Sequence, residues 1–188
     1  MINYAKIFRK DLDDNLNKFL NILFSDEVDA AYGSFLRGKT VGEMPVVNNV
    51  LRLVKEDAYS DSFTFQWKKF TNTQLDSAQN LDLTRKEVLN KIQVDPNQLK
   101  GKFILDVGVG VGRHAEHFCE AGAYVVGVDL SNSVEQAEYN LKKYKNVVLM
   151  QGNLFNLPFR INCFDLVYSV GVLHHTPDWR QGLEKIAP

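Results

Sequence analysis

The chain has 188 residues, enough for one domain with a small extension, and an apolar share of 45% that can furnish a buried core. Its 22 Lys and Arg against 23 Asp and Glu leave a net charge of −1, so composition gives no electrostatic case for nucleic acid or an anionic membrane as partner. No apolar run is long enough to cross a bilayer.

Met1 to Phe24 carries early basic residues but no uninterrupted apolar core and no cleavage site, so it does not read as a signal peptide. A cytoplasmic protein is expected, with Cys119 and Cys163 reduced and no disulfide framework.

Residues 10–25 place Leu12, Leu16, Phe19, Leu20, Leu23 and Phe24 at helical spacing. The opposite side is acidic and polar, which favours a packing helix over a membrane-surface helix. Gly33 to Val54 is punctuated by Gly33, Gly38, Gly42 and Pro45, and Val46-Val47 and Val50 to Val54 suggest short strands or an extended arm. Tyr59 to Leu75 is rich in aromatics, with Phe65, Trp67 and Phe70 read either as a lid or substrate wall, or as part of a helix packed on the core. Leu83 to Val94 predicts a helix, with Thr84 and Glu87 at capping-box spacing and Pro96 to end it.

Phe103 to Val107 is a short apolar run carrying an acid, and reads as a buried strand. Gly108, Gly110 and Gly112 follow at alternate positions, then a helix from Arg113 to Ala121. Strand, glycine turn and helix make a cofactor cradle, because glycines allow close backbone approach and the helix start offers unpaired N–H groups. Gly110-x-Gly112-x-x-Ala115 fits a loose dinucleotide pattern. Asp106 argues against it: an acid there repels a pyrophosphate and accepts a hydrogen bond from an ammonium group. Asp129 closes the next apolar run, Tyr124 to Val128, where it can take both hydroxyls of a ribose. A ligand with a ribose at one end and a cationic amino acid at the other is S-adenosylmethionine.

The stretch Ile104 to Ser131 resembles the first two motifs of class I S-adenosylmethionine-dependent methyltransferases, and the chain looks like their small-molecule, methyltransferase-11-like branch. Strands at Phe103–Val107, Tyr124–Val128, Val147–Met150 and Phe164–Ser169 alternate with helices at Arg113–Ala121 and Ser133–Lys143, the second capped by Ser131 or Ser133. This alternation predicts an α/β, doubly wound parallel sheet with its ligand at the carboxyl ends of the strands. Asp106, Asp129, Asn153 and Ser169 or Gly171 all fall there.

The resemblance implies that Gly108, Gly110 and Gly112 line the methionine part of the cofactor with Asp106 near its amino group. Asp129 would bind the ribose and Leu130 stack on the adenine. Gly152-Asn153 to Phe159 is similar to the family stretch Gly-Asp-x-x-x-Leu-Pro-Phe, with Asn153 in place of the acid that bonds the adenine amino group. The Asn153 carbonyl can still accept that bond, and Leu154 would offer its backbone N–H. Ser169 to Trp179 looks like the post-strand loop of the small-molecule branch, where His174 or His175 could deprotonate a hydroxyl nucleophile.

His114 and His117 stand three apart near Cys119 without further ligands, so no metal is expected. The Gly33–Val54 region faintly resembles a zinc-ribbon-like segment preceding some of these domains, but no Cys or His occurs before His114. Asp61 to Phe70 resembles a segment that lies over the active site in some of these enzymes.

The expected organisation is a mainly helical N-terminal extension and possible lid over 1–79 and an incomplete methyltransferase domain over 80–188. Only the first four of the family's seven strands are expected, so the chain reads as cut short at Glu184 to Pro188, with the fourth strand an open edge. A homodimer or a partner completing the sheet is then expected. The expected acceptor is a small-molecule metabolite methylated on O, N or C. The alternatives are a non-catalytic S-adenosylmethionine-binding module and a nicotinamide-dependent oxidoreductase.

Overall fold

The computed structural model describes residues 6, 8, 11–24, 45–54, 76 and 82–187. The aromatic stretch 59–75, read as a lid or substrate wall or as part of a packed helix, lies outside the described residues.

Six strands form one sheet: β1 (Val46–Val47), β2 (Val50–Arg52), β3 (Phe103–Val107), β4 (Tyr124–Asp129), β5 (Val147–Gln151) and β6 (Leu166–Tyr168), in the spatial order β1-β2-β5-β4-β3-β6. The four expected parallel strands are all present. The hairpin β1–β2 adds two more: β1 pairs antiparallel with β2, and β2 pairs parallel with β5. Asn48 and Asn49 both take positive φ, 53° and 63°, which is the left-handed pair that a tight hairpin requires. β6 pairs with β3 through Ile104↔Leu166 to Asp106↔Tyr168, and its other side meets no strand among the described residues.

The central strands are apolar at successive positions because both faces are covered. On one face, Leu105, Val107, Val126, Val128, Val148 and Met150 pack against helix α1 (Asp14–Leu23). On the other, Ile104, Val125, Val147 and Leu149 meet α2 (Leu83–Ile92), α3 (Arg113–Glu120) and α4 (Ser133–Leu141). A last helix, α5 (Trp179–Ile186), joins the α1 side through Ile186.

The acidic amphipathic helix is thus a packing helix. Leu16, Phe19, Leu20 and Leu23 are buried, and each contributes about 1.5–3 kcal/mol relative to exposure. Phe19 stacks on Phe103 with ring centroids 3.9 Å apart. Asp13 caps α1 by accepting the Asn15 N–H at 2.8 Å.

Helix α2 starts differently from expectation. Its N-cap is Asp82 and no side chain caps it there; the carboxylate of Asp76 accepts the Arg85 N–H at 3.0 Å instead. It ends at Ile92 with Gln93 left-handed, and Pro96 opens a separate short turn, Pro96–Leu99.

Candidate cofactor site

The carboxyl ends of β3, β4, β5 and β6 surround a cleft of about 710 Å³. Its floor is the glycine turn after β3. The N–H groups of Gly108 and Val109 both donate to the Val128 carbonyl, at 2.7 and 3.1 Å, which folds the turn back over β4. Gly108 has φ +80°, and a Cβ placed there would lie 2.0 Å from Val172 Cγ2. Glycine is therefore required both by the backbone and by the β6 loop lying against it.

Gly108 and Gly110 line the cleft. Gly112 does not: it precedes α3 with φ +90°, and a Cβ there would come within 2.9 Å of Leu141 on α4. Its absence of side chain seats α3 against α4.

Two acids stand behind the turn. Asp129 lines the cleft at the end of β4. Its Oδ2 accepts the Gly110 N–H at 2.8 Å. Its Oδ1 accepts the Ser131 N–H at 2.8 Å and the Ser131 hydroxyl at 2.7 Å. Asp106 sits one residue below the cleft floor, 1% exposed, and its Oδ2 has no hydrogen-bond partner. Burial, with the neighbouring Asp129 charge, raises its carboxyl to about 7. Its strand neighbour Tyr168 also has a buried hydroxyl without a partner, as does Ser169 Oγ. Burial first, then the Asp106 charge, raises the Tyr168 phenol to about 12.

The start of α3 forms a further wall with Arg113 and His114. Arg113 Nε donates to His114 Nε2 at 3.1 Å. Burial and the Arg113 charge lower the His114 imidazole to about 4, so it is neutral at pH 7. Sequence reasoning did not single out Arg113; its position just after the glycine turn was the available signal.

Leu130, Asn153 and Leu154 line the cleft on the β4–β5 side. Asn153 Oδ1 accepts the Phe155 N–H at 3.0 Å and caps the short turn Leu154–Asn156. That carbonyl retains one lone pair for a ligand. The β6 loop contributes Val170 to Val172, His175, Thr176 and Pro177, of which only His175 had been singled out for chemistry. His174 is exposed and outside the lining set, with its ring 3.9 Å from that of His175. Ser169 also lies outside it. His117 sits on α3 away from the cleft, 3.3 Å from both Asp76 and Glu120.

Comparison with known proteins agrees with this geometry. Residues 105–187, which carry the glycine turn and all of the cleft-lining residues, match the family described as "Methyltransferase domain". They form a class I S-adenosylmethionine-dependent methyltransferase domain.

A demethylmenaquinone methyltransferase of Corynebacterium urealyticum is 32% identical over 117 residues, 62% of this chain and 47% of that protein. A tRNA U34 carboxymethyltransferase of Hahella chejuensis is 40% identical over 81 residues, 41% of this chain and 25% of that protein. The chain thus spans about half or less of the length of these curated relatives. The fold is that of magnesium protoporphyrin IX methyltransferase from Synechocystis PCC 6803, solved with bound S-adenosylhomocysteine. The TM-score is 0.54 and the identity 20%, over 69% of this chain and 64% of that one.

S-adenosylmethionine is the cofactor of this family. The methyltransferase domain fits it on two observations of its own. Asp106 buries a carboxyl oxygen with no protein partner under the cleft floor, which suits an ammonium group. The floor has no side chain at Gly108 or Gly110, so the ligand can approach backbone.

Proposed function

We propose that the chain is a methyltransferase that takes S-adenosylmethionine in this cleft and methylates an O, N or C nucleophile of a small-molecule metabolite. The observation that carries the reading is the unpartnered Asp106 oxygen behind a bare glycine floor, beside the prearranged carboxylate of Asp129. Asp106 would hold the amino group of the cofactor. Asp129 would accept from the ribose hydroxyls. Leu130 would pack on the adenine, with Asn153 and the Leu154 N–H at the ring edge. The bound cofactor supplies an electrophilic methyl group on a sulfonium.

In-line displacement needs chiefly alignment of nucleophile and methyl, so a strong acid–base constellation is not required. His175, facing the cleft, is the better placed of the two loop histidines to take a proton from a hydroxyl nucleophile. Gly108 and Gly110 leave the room, and Val170 and Val172 make the acceptor side apolar. The division near residue 80 belongs to the same proposal, with an N-terminal extension that contributes α1 and the β1–β2 hairpin to the sheet and its core.

Calorimetric titration with S-adenosylhomocysteine, with NADH as control, tests the reading. Micromolar binding of the first alone is expected. Binding of NADH instead overturns it in favour of a nicotinamide enzyme. Turnover with any acceptor excludes a purely binding module.

A further inference from the structure

The N-terminal hairpin lies outside the matched domain, yet its last residue is tied to the turn beside the cofactor cleft. Arg52, at the end of β2, is 7% exposed. Its guanidinium donates to Gln151 Oε1 at 2.6 Å and pairs with the carboxylate of Glu135 in the first turn of α4. Gln151 ends β5 and is itself buried. Its Nε2 donates to the Leu130 carbonyl and to Asn132 Oδ1, each at 3.0 Å. Leu130 and Ser131 line the cleft. The chain of contacts therefore runs from the hairpin through one amide to the turn that follows Asp129.

The chemistry of the three partners fixes the direction of that amide. A guanidinium can only donate, so Gln151 must turn its oxygen toward Arg52. The Leu130 carbonyl and Asn132 Oδ1 accept, so the Gln151 NH2 must face them. Without Arg52 only the Leu130 carbonyl and Asn132 Oδ1 hold the amide in that direction, and its oxygen is left without a donor. The ion pair with half-exposed Glu135 adds little net stability; what the buried guanidinium gives here is a defined orientation. We infer that Arg52 is a positioning residue for the adenosine side of the cofactor site, acting through Gln151 on the turn 129–132. The inference rests on the proposed cofactor reading.

Two variants test it. Arg52→Met removes the guanidinium. Gln151→Glu keeps a strong acceptor for Arg52 but removes the donor to Leu130. Both are expected to weaken S-adenosylhomocysteine binding by about tenfold, the loss of one charge-assisted or buried hydrogen bond. Gln151→Glu is expected to lower Tm as well, since it sets a carboxylate oxygen against the Leu130 carbonyl, so its affinity loss is read against Phe19→Ala at a matched loss of Tm. Phe19→Ala, which breaks the α1 stacking on Phe103 away from this chain of contacts, lowers Tm and leaves affinity within about twofold.

Should Arg52→Met fail to fold, Gln151→Glu alone carries the test. Affinity unchanged in Gln151→Glu overturns the inference and leaves Arg52 a structural residue. Amide exchange reports without ligand: Gly110 and Ser131, whose N–H groups bond Asp129, should exchange faster in the variants while β3 and β4 amides do not. Uniform acceleration counts against positioning. Wild-type chain that binds no S-adenosylhomocysteine sinks the cofactor reading itself, a separate outcome from equal affinity across variants.

Discussion

Asp106 and Asp129 stand near the carboxyl ends of neighbouring parallel strands, and the fold treats them in opposite ways. Asp129 accepts three hydrogen bonds from the glycine turn and from Ser131, so its carboxylate is oriented before any ligand arrives. Asp106 keeps a carboxyl oxygen with no partner in a place with almost no exposure, and its acidity is weakened to about 7. One acid is organised by the protein; the other is left for a ligand to complete. Preorganisation lowers the cost of binding, while an orphaned buried carboxyl either keeps its proton or meets a cation.

The largest expected effect comes from breaking the organised acid. Asp129→Ala leaves the Gly110 and Ser131 N–H groups without their acceptor and removes the proposed ribose contact. Affinity for S-adenosylhomocysteine should fall about hundredfold or more, readable by calorimetry. Retained affinity would place the ribose elsewhere.

Next in size is Gly108→Ala. The new Cβ meets Val172 Cγ2 at 2.0 Å and φ is +80°, so stability should drop by about 2–3 kcal/mol in a denaturant melt. Val172→Ala in the same chain should recover the steric part and not the backbone part, about 1 kcal/mol. Full recovery would show that the left-handed conformation carries no cost here.

Asp106→Asn sharpens the contrast because its two effects oppose. The free chain should gain stability at pH 8, on the order of 1–3 kcal/mol, since no charge is then buried. Binding should weaken about tenfold, since the ammonium loses a carboxylate. A linked proton marks the same group: wild-type binding near pH 6.5 should release about three-quarters of a proton, measured in buffers of different ionisation enthalpy, and the variant should release none.

The smallest effect is a slope. Between about pH 4 and 7 the native chain keeps a proton on Asp106 that the unfolded chain has lost, so this group makes stability fall as pH rises. His114 works the other way. Its native imidazole, lowered to about 4, stays neutral while the unfolded one is protonated below about 6.5, so its contribution falls as pH drops. The two slopes oppose across that window. Thermal melts of Asp106→Asn should show stability rising with pH there, and His114→Phe should show it falling.

Much of the site was legible locally. The strand, the alternating glycines and the acid at the end of the following strand lie within Ile104 to Ser131, and short-range pattern carries that information. The amphipathic α1 was legible too, since its period of burial is written in its own residues. The jobs of the three glycines were not separable, because Gly108 answers to Val172 and Gly112 to Leu141, neither of them nearby in sequence. The expected cap of α2 failed for the same reason: Asp76, from outside the helix, supplies it.

The sequence by itself determined the parallel α/β order, the cofactor class and the ends of strands where a ligand would sit. These follow from the spacing of apolar residues and glycines along one segment. Only the tertiary structure decided that the hairpin Val46–Arg52 joins the sheet beside β5, that Asp106 is left without a partner, and that a buried arginine reaches the cleft through Gln151. Those depend on which distant segments lie side by side. Strand pairing between residues about a hundred positions apart is set by the shared core, whose apolar groups carry no address beyond their size and face.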